Sequence, residues 1–475
     1  MRSSGYHLLI ILVAVSLVGL GAVNQKDHSL QLKRIDGTCS DEELNHSPLV
    51  ECKSQDCSYI TQDLDPIWPS DRNHLVHMHS SRSGNRFLVD NLENLNYRET
   101  EQEKLFDINT TLYVHSTSRF HEVLGFGATL DAHMLMLDID DESLYTSLVP
   151  ILTDLFSKSP KGIELSILRL PITSEVITNY NITHLMHRVD TLITRVLGRE
   201  SGDRIRVIVN LEDLRSTMQI IEALKAIPSP AKKMNALDFW AVSLNQEWIF
   251  SSATNKEMLE YVKELFSTNQ VLGVTKISES PSFTEPDVQS IFGGLLIKSE
   301  FSAPYNFLDS VRSTSDKLTL ITIGSDKPQT SDYGDWQNAQ NYAVEILKHL
   351  THGSNGFIEG LSVVDVLSDS KSQDCSIYSL QRSHQLHFRG PMFYAIGHFS
   401  RLIKPGSRRL AVEVYTQPNM FAAHYAAFAT PQNQIVAIVL NDNEHLLPFR
   451  LAVDGKILSQ VNLEPKSFNT IVVQN

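Results

Sequence analysis

Glu247, in the stretch WAVSLNQEW (Trp240–Trp248), is the residue whose type and position point most directly to chemistry. It follows the apolar run Leu237–Leu244, which reads as a buried strand. A carboxylate delivered by a strand end, with its pKa raised by burial and by a charged neighbour, can hold a proton and act as a general acid. Cleavage of a glycosidic bond uses such an acid together with a second carboxylate. The bland alternative is a glutamate on an exposed loop.

The surrounding elements predict how Glu247 is held. Ile163–Leu170, Ile205–Leu211, Leu237–Leu244 and Leu318–Ile323 read as buried strands. Helical periodicity lies between them, over Ile182–Leu197, Thr217–Ala226, Asn255–Phe266 and Asn338–Leu350. Strand–helix alternation from 119 to 404 predicts a parallel α/β unit, and a (β/α)8 barrel suits its length. After Pro405 the pattern changes to short strands, Leu410–Thr416, Ala422–Ala429, Ile435–Leu440, Phe449–Val453 and Phe468–Val473. The expected architecture is α/β, a TIM barrel (119–404) inserted into an all-β sandwich made of 82–118 and 405–475.

The N-terminal region speaks to compartment. Arg2 and the apolar run Leu8–Val23, ending in small residues, have the layout of a cleavable signal over 1–22, with a membrane anchor as the alternative reading. The segment 23–81 carries Cys39, Cys52 and Cys57, and its polar part, 24 to about 60, is expected to be irregular. Cys52 and Cys57 can close a small loop; Cys39 and Cys375 pair only if the fold brings them together. No histidine sits at ligand spacing from these cysteines, so no metal is expected there. Sequons at Asn45, Asn109 and Asn181 fit a secreted or lysosomal glycoprotein.

The formal charge of −14 disfavours nucleic acid as a partner. Protonation of all 18 histidines would bring it to −14 + 18 = +4. An acidic compartment is therefore expected to bring the protein near neutrality and ease its approach to an anionic membrane surface. The other reading is that the histidines are simply scattered over the surface.

Four motifs carry a resemblance. HSSRSGNRF (His79–Phe87), FHEVLGFGATLDA (Phe120–Ala132), GIELSILRLPITS (Gly162–Ser174) and GPMFYAIGHFSRLIKPGS (Gly390–Ser407) resemble the glucosylceramidases of glycoside hydrolase family 30. The match runs over most of the expected mature chain and is most specific at Gly390–Ser407. It implies a (β/α)8 barrel plus an all-β domain, a GFG turn at Gly125–Gly127, a second-strand Arg-x-Pro at Arg169–Pro171 and a Cys52–Cys57 disulfide. Val50 stands where the family has another cysteine, which leaves Cys39 without its usual partner. The resemblance further implies lysosomal hydrolysis of glucosylceramide with retention and no metal or other cofactor.

The same resemblance places Glu247 at the acid/base position, but the family's Asn-Glu-Pro reads Gln246-Glu247-Trp248. Gln246 takes the place of the asparagine that contacts the sugar's 2-hydroxyl. The nucleophile position falls on Gly324, in LTLITIGSDKP (Leu318–Pro328). Asp326 is the nearest carboxylate, and a two-residue step along an extended chain is about 6.6 Å. The sixth-strand His-Trp-Tyr reads Ile297-Lys298-Ser299, and the third-strand loop Asn210–Thr217 has no aromatic residue. Asp131 is left as a candidate for holding sugar hydroxyls.

The expectation from these departures is a glucosylceramidase-like protein of sphingolipid metabolism with impaired catalysis. Its partners would be a glycolipid such as glucosylceramide, a glycan, a lysosomal activator or transport protein, or the membrane surface. An active retaining β-glucosidase is the competing expectation, and a secreted structural glycoprotein without a ligand is a third.

Overall fold

A computed structural model describes residues 50–53, 56–57, 68–69, 74–95, 97–98, 110–132, 135, 142–158, 162–198, 204–212, 223, 234–245, 271–276, 292–299, 305–314, 318–324, 335–360, 363–365, 378–381, 386–416 and 423–474. Eight parallel strands close into a barrel: Gly125–Thr129, Ile167–Ile172, Ile205–Leu211, Leu237–Asn245, Val271–Lys276, Gly294–Lys298, Thr319–Ile323 and Gly356–Glu359. Closure is made where Gly356–Glu359 pairs with Gly125–Ala128. Side-chain alternation sorts these strands into two layers. Ile167, Ile208, Ala241, Leu272, Leu296, Ile321, Ile323 and Ile358 form one apolar cluster that fills the barrel. Leu168, Val207, Val242, Leu295, Leu320 and Phe357, at the alternate positions, pack outward in a cluster shared with the helices.

Local chemistry explains the helices that clothe the barrel. In Ile182–Leu197 the residues Ile182, Leu185, Met186, Val189, Leu192 and Ile193 are buried, at i, i+3, i+4 spacing. Asn181 caps its start by accepting from the His184 N–H at 3.0 Å, and Gly198, at φ 82°, ends it. Trp336–Thr351 starts at Asp335, whose carboxylate accepts from the Gln337 N–H at 2.8 Å. Pro391–Ser400 opens with Pro391 and is buried along almost its whole length, because it lies between barrel and β domain. Phe87 of the β domain meets Tyr394 of this helix edge-on at 5.0 Å. A Cβ at Gly397 would lie 2.3 Å from Phe87 Cζ, so only glycine lets the two units approach this closely.

The β domain is a ten-stranded sheet folded on itself. In order its strands are Leu88–Glu93, His74–Ser81, Ser467–Gln474, Gln434–Asn441, His424–Ala429, Ser407–Thr416, Thr110–Val123, Leu447–Val453, Lys456–Leu463 and Tyr97–Arg98. Leu75, Val439 and Ile471 from one half share a core with Leu112, Leu451 and Leu463 from the other. Segments from both ends of the barrel thus share one sheet system, as the inserted architecture requires. The sheet begins earlier than residue 82, because His74–Ser81 pairs with Ser467–Gln474, and Thr110–Val123 runs past residue 118.

Three local expectations are corrected. The GFG residues are not a turn: Gly125–Thr129 is the first barrel strand, and a φ of 142° at Gly125 lets the chain enter it beside Ser166. The strand read as Ile163–Leu170 begins at Ile167, because the Ile163 and Leu165 N–H groups are spent on Asp154 and Leu155 carbonyls at 2.7 and 2.8 Å. The cysteine-bearing region is not irregular throughout. Val50–Lys53 and Asp56–Cys57 form a hairpin that pairs with Leu386–Arg389. Arg389 locks that patch to the barrel through a buried two-point ion pair with Asp154, at 2.6 and 2.8 Å.

Candidate functional site

Side chains pointing inward from the C-terminal strand ends converge on the barrel mouth. Arg169, two residues beyond the interior Ile167, is 5% exposed. It donates from Nη1 to Thr129 Oγ1 at 3.2 Å and from Nη2 to Glu212 Oε1. Glu212 follows the third strand and also accepts from Asn210 Nδ2. Asn210 in turn accepts from Ser243 Oγ, on the fourth strand, at 2.5 Å. Lys298, at the end of the sixth strand, brings Nζ within 3.6 Å of the same Glu212 oxygen. Thr129 closes the ring by donating to the Glu359 carbonyl at 2.6 Å. The described mouth is therefore a cross-strand ion cluster of two cations and one carboxylate.

The seventh strand contributes no charge to this cluster. Ile321 and Ile323 face the interior, and Gly324 faces the other way. A Cβ added at Gly324 would stand 2.9 Å from Phe357 Cζ and 3.5 Å from Tyr342 Cε2, both in the helix-side layer. Glu359 points to that layer as well; burial, with Glu359 beside it, pushes the Tyr342 phenol well above its ordinary range. His349 joins the sixth and seventh strands from behind through Ser299 Oγ at 2.9 Å and Thr322 Oγ1 at 3.0 Å. Burial, and to a lesser degree His352, pushes its pKa down to about 3.

The residues singled out from sequence are distributed as follows. Glu247, Gln246, Asp326, Asn45, Asn109, Cys39 and Cys375 lie outside the described residues, as do residues 1–22 and most of the helical stretches Thr217–Ala226 and Asn255–Phe266. The fourth strand that leads to Glu247 is present as Leu237–Asn245. Asp131 is exposed, two residues past the first strand. Asn181 is an exposed helix cap. Cys52 and Cys57 are direct partners in their hairpin register. Glu212 was not singled out from sequence; parity was the available signal, since it continues the inward series Ile208, Asn210 of its strand. The histidine arithmetic is corrected. Burial holds His77 and His121 near a pKa of about 4 and His398 well below the usual value, so with His349 four histidines resist charging at pH 5.

Two further features lie away from the mouth. A cavity of about 520 Å3 sits at the opposite, N-terminal end of the barrel, among Arg119, His121, Asp309, Arg312, Arg408 and Arg409. Among the described residues, the donors grouped closely enough for a metal ion are His77, His79 and Asp90, on the β domain.

Comparison with known proteins agrees with this architecture. Residues 406–471 match the glycosyl hydrolase family 30 beta sandwich domain. A glucosylceramidase homologue of Caenorhabditis elegans, numbered 2, is 31% identical over 157 residues, which is 31% of this chain and 30% of the relative. The chain is thus similar to glycosyl hydrolase family 30 in its β domain, and to a glucosylceramidase over part of its length. The stretch it shares with this relative spans under a third of the relative's length. SrfJ from Salmonella typhimurium superposes with a TM-score of 0.65 at 14% identity, over 85% of this chain and 100% of that one. The endo-beta1,6-glucanase BT3312 does so at 0.59 and 13%, over 84% and 100%. These two likenesses are likenesses of fold.

Proposed function

We propose that this chain is a family 30 protein, a non-hydrolytic relative of glucosylceramidase that binds a glycolipid or glycan, or a lysosomal partner. One observation carries the reading: the seventh strand offers the barrel interior an isoleucine, Ile323, and turns the following Gly324 toward Phe357. Retaining hydrolysis needs two carboxylates about 5–5.5 Å apart at the mouth. The inward carboxylate among the described strand ends, Glu212, is tied by Arg169, Asn210 and Lys298. A nucleophile clamped by two cations is stabilised as an anion and loses reactivity. Lys298 also replaces an aromatic wall with a charge, which removes stacking as a means of holding a sugar.

The competing reading, an active retaining β-glucosidase acting on glucosylceramide, would use Glu247 with Glu212 or Asp326. Hydrolysis of a fluorogenic β-glucoside near pH 5 separates the two. The proposal expects no turnover above background for the wild type. Losing one member of a cooperating catalytic set costs on the order of a million-fold. Turnover that disappears in Glu247→Gln would overturn it, and Glu212→Gln and Asp326→Asn would then identify the second carboxylate. Secretion, a cleaved leader, N-glycosylation and a peripheral approach to membranes belong to the same proposal; among the described residues no helix is long and apolar enough to cross a membrane.

A further inference from the structure

We propose that His77, His79 and Asp90 form a binding site for zinc or a similar divalent transition-metal ion on the β domain. His77 and His79 are two apart on the strand His74–Ser81 and so project from one face of the sheet. Asp90, on the neighbouring strand Leu88–Glu93, stands opposite His77 in register. Both imidazoles turn Nδ1 toward the same oxygen, Asp90 Oδ2, at 3.9 Å from His77 and 3.6 Å from His79. All three donor atoms lie within 4.8 Å of one another.

The hydrogen bonds around His77 fix which of its nitrogens is bare. Asn469 Nδ2 donates to Ser467 Oγ at 2.8 Å and to the Val439 carbonyl at 3.3 Å, so Asn469 Oδ1 is the acceptor it presents to His77. His77 Nε2 must then carry the proton of the 3.0 Å bond to Asn469. Its Nδ1 is left with a lone pair, buried, and without a hydrogen-bond partner among the described residues. That lone pair faces a carboxylate. A cation seated between these two electron-rich atoms would satisfy both. A metal-bound histidine whose second nitrogen donates to a fixed carbonyl oxygen is the usual support for such a ligand. His79 presents both ring nitrogens without a hydrogen-bond partner among the described residues, and it is only 6% exposed.

The dimensions suit zinc. Four donors at about 2.0–2.1 Å from a tetrahedral ion are about 3.3 Å from one another. Asp90, at 3.6 and 3.9 Å and with a side chain 51% exposed, reaches that spacing by a small turn, and the two imidazole donors, within 4.8 Å, reach it by turning their rings toward the ion. The two histidines and the aspartate fill three positions and leave the fourth for water. The site is remote from the barrel mouth and does not depend on whether hydrolysis survives.

The test uses the full chain, stripped with a chelator, desalted and titrated with zinc chloride. The proposal expects one zinc per chain by elemental analysis, a zinc-dependent rise in the melting temperature, and intense visible absorption of the cobalt(II) form from a tetrahedral site. His79→Asn and Asp90→Asn should each weaken zinc binding at least ~10-fold. Asp90 lies on an exposed edge, so Asp90→Asn keeps the test open if His79→Asn fails to fold. No bound zinc with an unmoved melting temperature would overturn the proposal. So would undiminished zinc binding in Asp90→Asn, which would assign the metal to other ligands.

Discussion

Gly324 backs onto the Phe357 ring so closely that a single Cβ on it would come within 2.9 Å of that ring. The position that the family resemblance assigns to the nucleophile therefore looks into the helix layer and not into the barrel. Gly324→Ala should destabilise the protein by about 1–3 kcal/mol through overpacking. Gly324→Glu should cost more, because it also buries a carboxylate, and should yield no β-glucosidase activity. Urea midpoints and a fluorogenic assay check both statements. A stable, active Gly324→Glu protein would refute this orientation.

Arg169 and Glu212 hold the second and third strand ends together. Arg169→Met would leave Glu212 with the more distant Lys298, and breaking a buried pair from one side costs about 3–5 kcal/mol. Glu212 is partly exposed, so the lower end of that range is expected. Lys298→Met should cost well under 1 kcal/mol, because Lys298 is 40% exposed and 3.6 Å away. Equal losses in the two variants, measured by chemical denaturation, would contradict the geometry.

His349 makes stability depend on pH. Its folded pKa is about 3, below the ordinary 6.5, so the unfolded chain binds its proton first as the medium becomes acidic. The stabilisation is fully present above pH 6.5 and is lost progressively as the pH falls toward 3. At pH 5 the loss is about 2 kcal/mol. Denaturation midpoints between pH 7 and pH 5 should fall, and His349→Gln should show a shallower fall from a lower starting point. An unchanged slope would exclude His349 as a source.

Asp190 fixes where the fourth strand starts. From the helix Ile182–Leu197 its buried carboxylate accepts from the N–H groups of Asn235, Ala236 and Leu237 at 3.2, 2.8 and 3.1 Å. Asp190→Ala should cost roughly 3 kcal/mol, since hydrogen bonds to a charged group are lost and buried donors are left unmet. Asp190→Asn should cost less, because the amide oxygen keeps part of the set. Thermal unfolding ranks the two variants.

The hairpin register opposes Cys52 to Cys57, a separation a disulfide can span. Peptide mapping without reduction should recover these two cysteines linked. Asn181 caps its helix through Oδ1, which leaves Nδ2 available for a glycan, so a glycopeptide containing Asn181 is compatible with an intact cap. Recovery of Cys52 bonded to Cys39 or Cys375 would refute the local pairing.

Much of the barrel was legible because strand and helix periods are local properties. Ile182–Leu197 was read to the residue, and the third strand, Ile205–Leu211, likewise. The last helix and the return to the sandwich were legible in GPMFYAIGHFSRLIKPGS, where burial on nearly every side leaves little freedom of residue choice. Lys456–Leu463 was missed, since Ser459 and Gln460 interrupt its apolar pattern and pairing with Leu447–Val453 supplies what composition does not.

The sequence alone determined the fold class, the two-part division and the residue types at the strand ends. It could not determine orientation. Whether Gly324 faces the barrel interior or the helices depends on parity within a closed barrel, and Phe357, from the next strand, decides it. Glu212 acquires meaning only when the closed barrel brings Arg169 and Lys298 to it from the second and sixth strands. His77, His79 and Asp90 become a ligand set only when one antiparallel register places Asp90 opposite His77. These are relations between distant segments, set by packing and pairing, and no local pattern encodes them.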